Sequence, residues 1–222
     1  MLQEISLFPV LLSLKVASFS TLAALVLGVG AARLLARKRS AASSVLDVLC
    51  TLPMVLPPTV LGYYLILLFG RSGLLGPAMQ SMGLQLMLSW QGAVTAATVV
   101  IFPLVYRSAR AALEQVDVSL EQAARTLGAP EWKVFFYVTL PLASRSILSG
   151  AMLAFARGMG EFGATLMIAG NIPGKTQTLA LAIYDAFQAG NDELASMLVL
   201  VTSAICATIL VAAERLLGRR HA

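Results

Sequence analysis

Arg157 and Glu161 stand four residues apart in a stretch of otherwise apolar and small side chains, the spacing that puts two side chains on one face of a helix. Charged groups inside an apolar segment pair with each other or face a protein interior, because an isolated charge in hydrocarbon is expensive. The chemistry they support is an ion pair. It reads first as a neutralised structural pair, and alternatively as an arginine facing a cavity and attracting an anion while Glu161 holds it. Other chemistry is sparse. The single histidine, His221, sits in the C-terminal tail, and the chain contains no H-E-x-x-H, no G-x-S-x-G and no G-x-x-x-x-G-K-[ST]. An intramembrane hydrolase and a nucleotide hydrolase of the usual kind are both excluded on those grounds. Met79, Met82 and Met87 flank a loop and read as packing rather than a copper site, so no metal ligand is assigned. Cys50 and Cys206 both fall in apolar segments and read as small core residues.

The elements that must carry these residues are membrane helices. Of 222 residues 58% are hydrophobic and 12% charged, and the mean hydropathy is +0.82, more apolar surface than one soluble core of this size hides. A span needs roughly 20 residues to cross about 30 Å of hydrocarbon. Five windows qualify, which makes the expected fold all-α and integral to the membrane: about Phe8 to Leu35, Val45 to Gly70, Leu86 to Tyr106, Arg145 to Ala169 and Leu194 to Ala213. Thr178 to Phe187 is apolar but too short to span, and is expected as a re-entrant or interfacial helix. The basic residues sit at segment ends, so a net charge of +5 speaks of topology rather than of nucleic acid. Twelve of them, Arg33, Arg37, Lys38, Arg39, Arg107, Arg110, Arg125, Lys133, Arg145, Arg215, Arg219 and Arg220, fall on one side, against Arg71 and Lys175 on the other. The positive-inside rule then puts the N-terminus outside and the C-terminus in the cytoplasm. Lys15, near the start of the first span, is expected to snorkel outward. Gly28 and Gly30, with Ala23, Ala24, Ala31 and Ala32, form a small-residue face suited to close helix contact.

Pro53, Pro57 and Pro58 remove backbone donors from the second span and predict a kink or local unwinding there. The break reads equally as pathway lining and as a packing kink. Thr59 and the Tyr63-Tyr64 pair are candidate lining or gate residues, although an interfacial aromatic belt accounts for the tyrosines as well. Between the third and fourth spans, residues 108–144 do not read as a loose linker. Ser119-Leu120-Glu121-Gln122 has the form of a capping box, predicting a helix from Leu120. Gly128 can take a left-handed stop and Pro130 can open a second helix, about Glu131 to Val138, before Leu140-Pro141.

That connection carries a resemblance. Gln122-Ala123-Ala124, three residues, Gly128, nine residues, Val138, one residue and Leu140-Pro141 resembles the EAA loop of ABC-importer permeases, Glu-Ala-Ala-x3-Gly-x9-Ile-x-Leu-Pro. Gln122 replaces the motif's glutamate, and Glu121 stands one position earlier. Thr51 to Thr59, Gly62 to Gly76, Gly160-Glu161-Phe162-Gly163-Ala164-Thr165 and Gly170 to Thr178 are similar to the molybdate type of those permeases, with tungstate and sulfate types as the near alternatives. The resemblance covers nearly the whole chain as one permease domain, 1–222. It implies the type I ABC-importer permease fold in the bacterial inner membrane and no enzymatic activity or cofactor on this chain. It also implies a homodimer, two cytoplasmic ATPase subunits that hold ATP and magnesium, and an extracytoplasmic oxyanion-binding protein. By that resemblance Glu121, Gln122, Ala123, Ala124, Leu127, Gly128 and Pro141 couple to the ATPase. The path is read from residue chemistry instead: Pro57, Thr59, Tyr63, Arg157, Glu161 and Thr165 are its candidates, and Thr165, Asn171 and Thr178 offer the weakly polar hydroxyls and amide that let an anion leave again. An ion-driven secondary transporter is the reading from another class. It would require internal repeats and a titrating membrane carboxylate, of which no repeat is visible and Glu161 is the one candidate.

Overall fold

The computed structural model describes residues 7–217 apart from 39 and 84, and, of residues 213, 216 and 217, only the backbone. Arg39, Arg219, Arg220 and His221 lie outside the described residues. The described chain is helical: α1 Phe8–Leu35, α2 Ala41–Thr51, α3 Pro58–Phe69, α4 Gly76–Ser81, α5 Trp90–Gln115, α6 Val118–Thr126, α7 Glu131–Val134, α8 Leu140–Met159, α9 Gly163–Ala169, α10 Leu179–Gln188 and α11 Asp192–Leu217. Four helical runs are long and apolar enough to cross a membrane, and the pair formed by Ala41–Met54 and Pro58–Phe69 makes a fifth if taken as one bent span.

α1, α5 and α8 form the centre, packed against one another along their lengths. Small residues make this possible: Ala17, Ala24, Ala32, Ala93, Ala97, Ala109 and Ala154 are fully buried. A Cβ on Gly28 would stand 3.1 Å from the backbone nitrogen of Tyr106, and one on Gly150 would fall 2.3 Å from Ser108, so both glycines mark close approaches to α5. Gly30 has nothing near it and takes no part. Leu22, Val26, Leu67 and Leu200 are among many large apolar side chains that point outward, as expected of a surface that meets lipid or a partner. α11 packs on α8 and α10; α10, ten residues long, leans on α1 and α11 and does not span.

The proline-rich segment breaks the second span outright. Leu52–Met54 is a single 3₁₀ turn, Pro57 is extended (ψ 139°), Pro58 opens α3, and the two halves meet at 112°. A residue preceding proline is pushed out of the helical region, and Pro57 precedes Pro58. α3 then packs on α9 so closely that a Cβ on Gly62 would come within 2.6 Å of the Met167 Cβ. Gly62→Ala is expected to cost about 1–3 kcal/mol through overpacking, with Gly30→Ala as an unaffected control. Thermal unfolding in detergent reads the difference, and equal midpoints for the two variants would contradict this packing.

Three boundaries differ from the sequence expectation. The third span begins at a Ser89 cap, whose hydroxyl accepts from the Gly92 N–H at 3.1 Å, and runs on to Gln115. The fourth span does not reach Ala169. It starts at Glu131, passes without a hinge through a π-helical turn at Phe135–Thr139, and ends at Met159. The proline at 141 cannot donate to the preceding turn; the wider turn, in which the Leu140 N–H reaches the Phe135 carbonyl, takes up the mismatch and keeps the helix continuous. Finally, α6 is capped by Asp117, not Ser119. The Asp117 carboxylate accepts from the Ser119 N–H at 2.8 Å, so Val118 and Ser119 already lie in the first turn. That hydrogen bond holds the Asp117 carboxyl below its ordinary value.

Candidate functional site

At the end of the bundle where Arg33, Arg37, Arg110 and Arg125 gather, α6 and α7 form a short hairpin. Gly128 turns it with φ +81°, the left-handed region a side chain disfavours. The Gly128 and Ala129 N–H groups reach back to the carbonyls of Arg125 and Ala124, closing the end of α6. Arg125 clamps the two arms: its Nε lies 2.6 Å from Glu131 Oε1 and its Nη2 lies 3.1 Å from Oε2.

Glu121 faces inward. It is 6% exposed, accepts from the Thr139 hydroxyl at 2.9 Å and from Arg37 Nη1 at 2.8 Å, and lies 3.5 Å from Arg125 Nη2. The carboxylate one position before the motif therefore secures the hairpin to the end of α1 and to the π turn, and is not on the outer surface. The reason is periodicity: one face of α6 must lie on the bundle, and Glu121 is on it. Gln122, Ala123 and Thr126 are exposed, Ala124 is half-buried, and Leu127 is 88% exposed. Trp132, Phe136 and Tyr137 are exposed beside them, and so is Pro141 on the helix that follows. A small-residue helix with an uncovered leucine and three aromatics nearby is a surface shaped for a protein groove.

Arg37 was counted in the sequence only as a charge of topology, yet it organises this end. Its φ is +62°, a left-handed conformation that costs a non-glycine residue roughly 1–2 kcal/mol. There its Nη2 donates to the carbonyls of Val116 at 2.6 Å and Leu113 at 3.3 Å, closing the turn between α5 and α6. Asp47 was also missed. It accepts from the Tyr106 hydroxyl at 2.7 Å and pairs with Arg110, joining α2 to α5. A signal existed, since Asp47 is the one charged residue in the Val45–Gly70 window.

Deeper in the bundle, the two broken segments meet. α8 stops at Gly160, and Glu161 lies beyond the helix end, so the Arg157–Glu161 pair is not two positions of one helix. It forms nonetheless: Arg157 Nη1 stands 3.0 Å from Glu161 Oε2, as an ion pair without hydrogen-bond geometry. Glu161 Oε1 accepts from the Ala164 N–H at 3.1 Å and so holds the first turn of α9. Glu161 is 2% exposed, whereas the Arg157 side chain is 41% exposed. A Cβ on Gly163 would stand 3.0 Å from Pro58, which places the Glu161–Gly163 turn directly on the proline break.

Around that junction Pro57, Thr59, Tyr63 and Tyr64 are exposed. Thr165 is not. It is 1% exposed on α9, which is packed by both α3 and α5, so it offers no lining surface within the subunit. Thr178 is likewise buried. Asn171 is tied to Asp185 at 3.3 Å, and the Thr178 hydroxyl and the Asn171 amide oxygen have no hydrogen-bond partner among the described residues. Lys15 is exposed, and its Nζ sits 3.6 Å from the centroid of the Trp90 ring at the start of α5, a cation–π contact.

Comparison with known proteins gives this arrangement a family. The family described as "Binding-protein-dependent transport system inner membrane component" matches residues 24–221. The molybdenum transport system permease protein ModB of Escherichia coli (strain K12) is 47% identical over 207 residues, 92% of this chain and 90% of that protein. ModB of Haemophilus influenzae is 49% identical over 183 residues, 82% of this chain and 80% of that protein. Among solved structures, a chain of the MetNI methionine ABC transporter in an inward-facing conformation shares the fold with a TM-score of 0.72 at 18% identity, covering 98% of each chain. The EAA-type hairpin, the broken membrane segments and the extent of these matches agree, and the chain belongs to the inner-membrane components of binding-protein-dependent transport systems, the permeases of ABC importers.

Proposed function

We propose that this chain is the membrane subunit of an ATP-driven importer for molybdate, and that it works as a homodimer with two cytoplasmic ATPases and an extracytoplasmic binding protein. The observation that carries the substrate is the 47% identity to a molybdenum permease across 92% of the chain. The partnership is supported by the hairpin: it offers an exposed, capped helix for docking, and the chain has no phosphate-cradling loop with which to hydrolyse ATP itself. The basic residues gathered at the α6 end support, through the positive-inside rule, an N-terminus outside and a C-terminus in the cytoplasm.

In this reading ATP and magnesium bind the ATPases, whose closure draws the two α6 hairpins together. The permease halves rock about their two-fold axis and expose the path alternately to each side. Arg157, half-exposed beside the proline break, provides positive charge for the anion. Glu161 tempers it, so that the anion is drawn in and still leaves. Thr59 and Tyr63 add hydroxyls to the same path. Selectivity among oxyanions rests mainly with the binding protein.

The test is purification of the tagged chain in mild detergent, with mass spectrometry of what accompanies it. A P-loop ATPase at one-to-one stoichiometry is expected. A reproducibly solitary chain would overturn the assembly and favour a secondary transporter.

A further inference from the structure

One polar chain crosses the basic end of the bundle without interruption. It begins at Glu131 on α7 and passes through Arg125 and Glu121 on α6 to Arg37 at the end of α1. The Arg37 backbone N–H lies 3.5 Å from Glu114 Oε1, which in turn accepts from Arg110 Nε at 2.9 Å, and Arg110 pairs with Asp47 on α2. α2 is the first half of the broken span, and its far end is the 3₁₀ turn and proline break against which the Glu161–Gly163 turn rests. Apolar contact between α2 and the rest of the subunit is slight: Val45, Leu46, Val48 and Leu49 are all exposed, and Ser43 is its one buried residue. The Asp47 contacts to Tyr106 and Arg110 therefore make up much of what fixes α2 to the bundle.

We propose that Arg37 and Asp47 are positioning residues for transport: the chain from Glu121 through Arg37, Glu114 and Arg110 to Asp47 carries movement of the coupling helix to the broken span. The inference rests on the proposed docking of the hairpin to an ATPase. Its geometry suits the task. Arg37 is held in a strained left-handed conformation by partners on both α5 and α6, so α6 cannot shift without either dragging the end of α1 or releasing it. Asp47 lies inside the bend-forming half of the span, about one and two-thirds turns before Pro53, where a small rotation of α2 changes the opening at the break. The number of anions moved per ATP reads this coupling directly.

The experiment uses the full complex in proteoliposomes with molybdate, binding protein and ATP, comparing wild type with Arg37→Ala and Asp47→Asn. Asparagine keeps an acceptor for Tyr106 and removes only the charge that Arg110 pairs with. Both variants are expected to retain the ATPase at wild-type stoichiometry and to hydrolyse ATP, while molybdate imported per ATP falls roughly tenfold. Arg37→Lys, which keeps the pair with Glu121 but cannot also bridge both carbonyls, is expected to recover part of the loss. A wild-type import ratio in either assembled variant overturns the proposal. If Arg37→Ala does not assemble, Asp47→Asn decides alone, since it leaves the α5–α6 turn and the hairpin untouched. Failure of the wild-type chain to bring down an ATPase would instead sink the docking reading, and the two failures are thereby separate.

Discussion

Replacing Gly128 with proline is expected to reduce molybdate uptake about a hundredfold or more while the protein still inserts and its membrane helices remain intact. Gly128 turns the α6–α7 hairpin at φ +81°, and proline is fixed near −65°. The Gly128 N–H, which closes the end of α6 on the Arg125 carbonyl, would also be lost. A backbone misfit of this kind costs about 3 kcal/mol or more, enough to displace α6 from the partner groove in which it is proposed to seat. No atom would obstruct a Cβ at this position, so the effect is one of dihedral angle and not of bulk. Alanine is therefore expected to lose about tenfold, matching a left-handed penalty of roughly 1–2 kcal/mol, and asparagine less. Uptake assays on the three variants test that order, and normal uptake in Gly128→Pro would remove the turn from the mechanism.

Glu161→Ala is expected to produce the second large effect, on stability and uptake together. It strips the ion partner from Arg157 and the acceptor from the Ala164 N–H in one step. Breaking a fully buried pair costs about 3–5 kcal/mol. Because Arg157 is 41% exposed, solvent screening reduces this to about 1–3 kcal/mol. For a chain of this length that lowers the unfolding midpoint by very roughly 3–10 °C. Glu161→Gln keeps an acceptor for α9 and removes the charge, so it separates the two roles: a smaller fall in midpoint with uptake still depressed. Adding Arg157→Ala to Glu161→Gln is expected to restore part of the midpoint, since an uncompensated cation is worse than none. A double variant less stable than either single one would show that the two side chains do not act as a pair.

Much of the fold was legible because apolar length and charge asymmetry act over whole segments. α1, α11 and the proline break follow directly from windows such as Phe8 to Leu35 and from the missing donors of Pro53, Pro57 and Pro58. The ends were less legible, since a helix end is a local competition. Asp117 took the cap from Ser119 by sitting two residues ahead of it, and a π turn absorbed Pro141 and carried the helix past Val138, where it was expected to end. The membrane site was half legible. The pairing of Arg157 with Glu161 was foreseen, but not that Gly160 would end the helix between them, nor that Thr165 would be buried between α3 and α5. Arg37 and Asp47 were hidden for a different reason. Their partners lie 59 to 84 residues away in the chain; the lone charge of Asp47 in its apolar window signals that a partner exists, but no local pattern says which one.

ATP-driven import is the central property expected of this chain. Molybdate uptake measured in proteoliposomes containing this chain, its ATPase and the binding protein is predicted to require ATP and the binding protein, and to be indifferent to an imposed proton gradient. Accumulation of molybdate driven by a proton or sodium gradient with no ATP present would contradict it.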